Sequence, residues 1–181
     1  MNIKFQHLLI FLVFSIFSIK AQSLLVTAAG AYGNNVHGSM LEANSDGFGG
    51  HFRLDYVPGY NSIRPFTMYG LRSYHFNIKS SGTSVTEQKN NLVLLTVSPA
   101  FNRKGFVVMA DLGVGLAFTE KVSSSSSEKR TDMAINLGFT GIAEISSSVG
   151  LHTSVGYVRY FDNKLNSGYV LGTVGLLVKL F

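Results

Sequence analysis

The 181-residue sequence contains no cysteine, and this absence removes several kinds of chemistry at once. Without thiols the chain has no disulfide, no thiolate nucleophile and no cysteine-based metal site. A lipoprotein anchor is excluded as well, because that anchor is attached to a cysteine that follows the signal. The sequence also lacks a P-loop and a dinucleotide-binding fingerprint. We therefore predict neither a metal site nor a cofactor.

Charged residues are scarce: they make up 14 % of the chain, against roughly 25 % in soluble domains. Hydrophobic residues stay at 46 %, so glycine and small polar residues make up the difference. This composition suits a barrel that faces lipid outside and packs small or polar groups inside. The formal net charge is +5, but the basic residues are scattered rather than gathered in a stripe, and we predict no nucleic-acid partner.

The first residues read as a leader rather than as part of a fold. Lys4 precedes an apolar run over residues 8–19, which is shorter than the about 20 residues that a transmembrane helix needs. We predict a secretory signal peptide over residues 1–21, cleaved after Ala21, and a barrel domain over residues 22–181.

Most of the remaining chain alternates apolar and polar residues with period two, which is the pattern of a half-buried strand. In residues 106–119, all seven positions from Phe106 to Phe118 on one face are apolar, and the other face is mostly small or polar. No stretch keeps a 3.6-residue period, so we predict no helix after the leader. Strands are predicted near residues 23–32, 48–57, 63–77, 91–101, 105–119, 131–145, 148–160 and 167–181.

The connections between these segments alternate in length. Short turns on the periplasmic side and longer loops outside are typical of outer-membrane barrels. Aromatic residues near strand ends are predicted to form the girdles at the two membrane interfaces. The predicted long loops cover residues 33–47, 79–90, 120–130 and 161–167, and the predicted girdle residues are Tyr56, Tyr60, Phe66, Tyr157, Phe161 and Tyr169.

The chain ends with a strand-like segment whose last residue is Phe181. A final strand ending in an aromatic residue resembles the carboxy-terminal signal that the barrel insertion machinery reads in outer-membrane proteins. Lys179, two residues earlier, leaves two registers of this strand open. Either Lys179 is on the lipid face and its side chain reaches the membrane interface, or the opposite face of the strand meets the lipid. The two candidate lipid faces are Tyr169, Leu171, Leu177 and Phe181, or Val170, Val174, Leu176, Val178 and Leu180.

Taken together, the pattern over residues 22–181 resembles the small OmpA- and OmpX-like outer-membrane barrels and the outer-membrane β-barrel domain of porin-like families. The resemblance implies an all-β fold: an eight-stranded antiparallel up-and-down transmembrane β-barrel after an N-terminal signal peptide. It implies the outer membrane of a Gram-negative-type bacterium as location. The partners it implies are the lipid bilayer and the barrel insertion machinery.

An eight-stranded barrel has an interior just wide enough for side chains to fill, so an open diffusion channel is not expected. Polar residues on the inward face are predicted to pair with one another, because buried charges need partners to offset their desolvation. Such a network stabilises the barrel or, alternatively, forms a polar thread for water or a small ion, or a gate. Its predicted members are His51, Arg53, Asp55, Asp111, Asn136, Glu144 and His152.

One pair of residues matches a catalytic pattern. His152 and Ser154 are two apart and share a strand face, as a base and a nucleophile would. This spacing resembles the His-x-Ser pair of outer-membrane lipid A deacylases, which use a glutamate on a neighbouring strand, and Glu144 is the nearest candidate. All three are predicted to point inward rather than toward lipid, so this remains a weak alternative.

We therefore predict a non-enzymatic integral outer-membrane barrel with a structural or surface-interaction role, whose surface ligand the sequence does not name. Three alternatives stay open. The first is a narrow pore or transport accessory that uses the polar lumen, and the second is a lipid A-modifying enzyme. The third is a secreted soluble barrel that holds an apolar ligand, with the two faces of the sheet reversed.

Overall fold

A computed structural model describes residues 23–37, 46–58, 65–80, 86–122, 126–161 and 168–180. The leader, with its cleavage residue Ala21, lies outside these ranges, and so do Tyr60 and Phe181. The predictions for the signal peptide, the domain boundary and the terminal insertion signal therefore stay predictions.

Eight antiparallel strands form one closed barrel in which each strand pairs with its neighbours in sequence and β8 pairs with β1. This confirms the predicted all-β, eight-stranded, up-and-down architecture. Among the residues that the structure describes, there is no helix long and apolar enough to span a bilayer. The strands are β1 (Ser23–His37), β2 (Asp46–Val57), β3 (Phe66–Ser80), β4 (Thr86–Arg103), β5 (Phe106–Val122), β6 (Ser127–Glu144), β7 (Val149–Phe161) and β8 (Gly168–Lys179).

The strands are staggered around the barrel. A path through paired residues that leaves β5 at Phe106 and passes through every other strand returns to β5 at Leu116, ten residues further along. A stagger of this kind tilts the strands against the barrel axis and sets the width of the interior. It also places side chains from distant parts of the sequence at the same depth in the lumen.

Several strands extend further than the sequence predicts, among them β1, which continues to His37, and β3, which continues to Ser80. β4 begins at Thr86, β5 continues to Val122 and β6 begins at Ser127, so the predicted long loops over residues 79–90 and 120–130 are mostly strand. The reason is that backbone pairing continues after the apolar pattern has stopped. Polar side chains support these extensions from outside, as where Lys129 Nζ lies 3.4 Å from Glu120 Oε1 on the paired strand.

The apolar faces point outward. In β5, Phe106, Leu112 and Phe118 are 50 %, 51 % and 42 % exposed, whereas Asp111 between them is 1 % exposed. The other strands repeat this alternation, and together they surround the barrel with an apolar belt. A belt of this kind is the lipid-facing surface of a transmembrane barrel, because charges there are costly in hydrocarbon. The prediction that the apolar faces are outside is therefore confirmed, and the reversed, lipocalin-like arrangement is wrong.

The structure decides the two registers that the sequence left open. In β3 the inward residues include Arg72, Tyr74 and Phe76, and in β8 they include Leu171 and Leu177. The outward residues of β8 are Val170, Val174, Leu176, Val178 and Leu180, and these form its lipid face.

Two of the predicted girdle residues are inside the barrel instead. Phe66 and Tyr169 are buried, at 9 % and 1 % exposure, because each lies at a position whose side chain points into the barrel. Tyr157 and Phe161 do face outward, where they are exposed near the end of β7.

The interior has three layers. At the end where β1 begins and β8 ends, a lower apolar cluster contains nine side chains; at the opposite end, an upper apolar cluster contains eleven. The lower cluster is Leu25, Val57, Phe66, Met68, Ala100, Val107, Met109, Ile142 and Leu177, and the upper cluster is Tyr74, Phe76, Ile78, Leu92, Leu94, Ala117, Ala134, Val158, Tyr160, Tyr169 and Leu171.

Candidate functional site: the charged belt of the lumen

The middle layer of the interior is a group of charged side chains, which we call the charged belt: Arg53, Asp55, Arg72 and Asp111. Each of the four is 1 % exposed. Arg53 and Asp55 are two apart on β2 and therefore share its inward face. Arg72 lies directly opposite Arg53 on β3, and Asp111 comes from β5 on the other side of the lumen.

Asp111 is the centre of the belt because four side chains donate to its carboxylate. Ser98 Oγ donates at 2.7 Å and Arg53 Nη1 at 3.4 Å to Oδ1. Arg72 Nη2 also donates to Oδ1, and Thr140 Oγ1 donates to Oδ2. A buried carboxylate with this many donors has its desolvation offset, which is the condition for keeping a charge inside a barrel.

Arg53 joins the two acidic groups. Its Nε donates to Asp55, and its Nη2 donates to Ser98 Oγ at 3.3 Å and to Met109 Sδ at 3.1 Å. The belt therefore holds two guanidinium groups and two carboxylates, and its formal charge is zero. Gly70, which pairs with Asp55, makes room for it: a Cβ atom at Gly70 would meet the carboxylate.

Two histidines lie beside the belt. The rings of His51 and His152 are 5.6 Å apart between centroids, and Tyr74 stacks on His51 at 4.4 Å. The paired row between the two histidines runs through Ala29 and Gly175, whose small size leaves room for the rings. Among the described residues, no side chain or backbone group hydrogen-bonds to the ring nitrogens of either histidine.

The remaining predicted members of the lumen network are separate from the belt. Asn136 is buried on β6 and donates from Nδ2 to the backbone oxygen of Tyr157 at 3.4 Å. Glu144 is exposed at the end of β6, where it pairs with Gly150. The sequence placed Glu144 in the lumen by parity alone, but the barrel ends at this residue and its side chain is at the opening.

Sequence reasoning missed three members of this site, namely Arg72, Ser98 and Thr140. The register of β3 was ambiguous, so the inward direction of Arg72 was not assigned. Ser98 and Thr140 each lie on the inward face of an alternating strand, and that parity was the available signal. The stagger of the strands decides which inward residues meet across the lumen. The alternation of apolar and polar residues within a strand does not predict that stagger.

The catalytic alternative requires His152, Ser154 and Glu144 to be in hydrogen-bonding contact. Instead, Ser154 Oγ lies 2.6 Å from Thr173 Oγ1, on the paired strand β8. Neither ring nitrogen of His152 hydrogen-bonds to Ser154 within the described part of the chain. Glu144 is exposed at the barrel end.

The charged belt is enclosed by apolar layers on both sides. Met68, Val107 and Ile142 of the lower cluster lie below it, and Tyr74, Leu94 and Leu171 of the upper cluster lie above it. Chemically, this arrangement holds the strands together across the lumen, because the charge pairs join side chains of β2, β3 and β5.

These features define a class: a small eight-stranded transmembrane β-barrel with the fold of outer-membrane proteins and a filled, charge-paired lumen. The chain is similar to Neisserial surface protein A, with a TM-score of 0.64, 13 % identity and coverage of 87 % of this chain and 97 % of that one. It is also similar to a major outer membrane protein of Thermus thermophilus, with a TM-score of 0.60, 13 % identity and coverage of 87 % and 99 %.

A third similar structure is the outer membrane enzyme PagL, with a TM-score of 0.54, 11 % identity and coverage of 86 % of this chain and 98 % of that one. These likenesses concern the fold, which both a surface protein and an enzyme share. No protein-family model matches the sequence, and no curated protein sequence matches it.

Proposed function

We propose that this protein is a non-enzymatic integral protein of the outer membrane of a Gram-negative-type bacterium, with a structural or surface-interaction role. The barrel insertion machinery would place it there, and the bilayer would be its main partner. The observation that carries the proposal is the closed middle of the lumen: a charge-balanced belt lies between two apolar clusters, which leaves the exterior and the ends of the barrel as working surfaces.

The apolar belt on the outside of the barrel supports the membrane location. It includes large apolar side chains on all eight strands, among them Phe52, Leu95, Leu112, Phe139 and Val174. Phe139 is 65 % exposed to the surroundings of the barrel, which would be unfavourable for so many side chains in water. In a bilayer the same surface is matched by acyl chains.

The two ends of the barrel differ in the connections they carry. At one end, β4 and β5 are joined by the two residues Lys104 and Gly105, β6 and β7 by residues 145–148, and β2 and β3 by residues 58–65. The other end carries the connections over residues 38–45, 81–85, 123–126 and 162–167. By the rule that short turns face the periplasm, we assign the second end to the cell surface and the surface-interaction role to its connections.

The interior argues against a pore. Conduction would require the charged belt and the upper apolar cluster to move aside together, and the charged belt is held across the barrel by the contacts of Arg53 and Arg72 with Asp111. The separation of His152, Ser154 and Glu144 argues in the same way against lipid A modification, since a nucleophile needs its base within about 2.6–3.2 Å.

The location is tested by cell fractionation combined with gel mobility before and after boiling. We expect the protein in the outer-membrane fraction, with the unboiled barrel migrating differently from the boiled chain. Recovery in the soluble fraction without a mobility difference would overturn the membrane assignment.

The role is tested in a strain that lacks the protein, complemented with three forms of it. Wild type and Ser154→Ala should restore outer-membrane exclusion of vancomycin and surface binding equally, with unchanged lipid A acylation. A form with residues 38–45 replaced by a short turn should restore the barrel but not surface binding.

Two results would contradict the proposed role. A change in lipid A acylation that Ser154→Ala abolishes would establish the enzyme instead. Stable single-channel conductance of the purified wild type in planar bilayers would establish the pore.

A further inference from the structure

The barrel end with the short turns contains a cavity of about 450 Å³ that opens to the outside. It lies inside the barrel, below the charged belt, and the β4–β5 and β6–β7 turns form part of its opening. None of the four residues of the charged belt lines it, and Glu144 lies at its rim.

The wall of this cavity is mainly apolar, and the buried polar residues Ser23 and Asn102 line it as well. Five side chains of the lower cluster line it, and each comes from a different strand, so the surface is continuous around the interior. These five are Leu25, Met68, Val107, Ile142 and Leu177. A ligand that enters this space must therefore present an alkyl or similarly apolar part to it.

The rim is polar, and it has more positive than negative side chains. Lys104 and Lys179 lie at the opening with Glu144 and the three serines over residues 146–148. The arrangement of the rim is fixed by the backbone: Lys179 N donates to Ser148 O at 2.8 Å, and Glu144 N donates to Gly105 O at 2.8 Å. The side chains at the rim therefore give one net positive charge and several hydroxyl donors.

We propose that this cavity binds a single medium-chain fatty acid, with the alkyl chain against the apolar wall and the carboxylate at the rim. The volume is at the low end of the about 300–1,000 Å³ typical of small-molecule sites, which suits one alkyl chain and not the two chains of a phospholipid. The two lysines select an anionic headgroup, and the serine hydroxyls donate to its oxygens. The ligand enters from the barrel end opposite the surface connections, so the proposal does not depend on the surface role.

The test is native mass spectrometry of the folded protein released from non-ionic detergent micelles, with decanoate as the probe. Wild type should bind one decanoate per barrel with a saturable affinity. Two pairs of variants separate the cavity from other surfaces of the barrel. Val107→Trp fills the cavity, whereas Val108→Trp places the same side chain on the lipid face one residue away. Lys104→Glu reverses a rim charge, whereas Arg103→Glu does so on an exposed neighbour that does not line the cavity.

Binding should be lost in Val107→Trp and kept in Val108→Trp. Lys104→Glu should weaken binding by about two- to fivefold or more, given the usual strength of exposed charge pairs, and Arg103→Glu should leave it within twofold of wild type. Glu144→Gln should strengthen binding, because it removes the carboxylate that Glu144 places at the rim. Boiling-dependent gel mobility confirms that each variant is folded.

Three results would overturn the proposal. The first is absence of a stoichiometric decanoate complex with wild type. The second is undiminished binding by folded Val107→Trp, which would place the fatty acid on the lipid-facing exterior. The third is equal affinity for decanoate and for uncharged decanol, which would remove the role of the lysines.

Discussion

Arg53 and Arg72 lie directly opposite each other on β2 and β3, inside the barrel, and both donate to the same carboxylate oxygen of Asp111. Like charges opposite each other on paired strands are destabilising. The pair persists here because Asp111 reaches it from β5 and Asp55 binds Arg53 from the same strand. The stability of the middle of the barrel therefore depends on one carboxylate two residues from Arg53 and on another that is 58 residues away.

Replacing Asp111 should be strongly destabilising. Asp111→Asn leaves two buried guanidinium groups with one remaining carboxylate, and loss of one partner of a buried ion pair typically costs about 3–5 kcal/mol. The free energy of unfolding in urea, measured for the protein folded into lipid vesicles, checks this. Asp46→Asn is the matched control, because Asp46 accepts a hydrogen bond from Tyr32 in an exposed setting; it should change stability by less than about 0.5 kcal/mol. Equal stabilities of the two variants would contradict the central place of Asp111.

Ser98 should contribute through hydrogen bonds alone. Its hydroxyl donates to Asp111 and accepts from Arg53, and it is buried. Ser98→Ala should lower the free energy of unfolding by about 1–3 kcal/mol, the cost of leaving buried polar groups without a partner. In a double-mutant cycle with Asp111→Asn the two losses should not be additive, because Ser98 donates directly to the carboxylate whose charge Asp111→Asn removes. Strict additivity would show that Ser98 acts elsewhere.

Charges on the lipid face should be penalised according to depth. Leu112 is in the middle of the outward face of β5, and Phe118 is near the end of its apolar run. Leu112→Arg should cost about 2–4 kcal/mol and Phe118→Arg about 0–1 kcal/mol in a bilayer. Urea titration in vesicles measures both values. The opposite order, or equal costs, would mean that the apolar belt is not centred where the structure places it.

Gly115 should be intolerant of any side chain. A Cβ atom there would meet the backbone oxygen of Val93 on the paired strand, and overpacking of this kind typically costs about 1–3 kcal/mol. Gly30→Ala is the control, since a Cβ at Gly30 would be 3.9 Å from the nearest atom, the backbone oxygen of Val174. We expect a reduced melting temperature for Gly115→Ala only, measured by circular dichroism in detergent. A wild-type melting curve for Gly115→Ala would show that β4 and β5 are further apart.

The β4–β5 turn offers a stabilising change. Lys104 and Gly105 both have positive φ, at 49° and 83°, as the two central residues of a type I′ hairpin turn do. Lysine disfavours this conformation and asparagine tolerates it, so Lys104→Asn should raise stability by about 1 kcal/mol or less. Gly105→Ala should lower it, and urea unfolding of both variants is the measurement. A destabilised Lys104→Asn would mean that the lysine side chain contributes more at the rim than the turn gains.

The sequence predicted the faces of the strands well where a long alternation was uninterrupted. In β2 and β5 it separated Arg53 and Asp111 from the outward Phe52 and Leu112, as the structure has them. It did less well at strand ends. There, polar residues such as Glu120 continue to pair, and Glu144 reaches the opening although its parity is inward.

By itself, the sequence determined the eight-stranded barrel and the side of each clear strand that meets lipid, because a period of two leaves only two choices and a charge in hydrocarbon is costly. The tertiary structure decided which inward residues meet, bringing Arg72 to Asp111 and moving Tyr169 into the core. The physical reason is that the stagger of the strands belongs to the closed barrel as a whole. No single strand contains it, so the alternation within each strand does not say which side chains meet across the lumen.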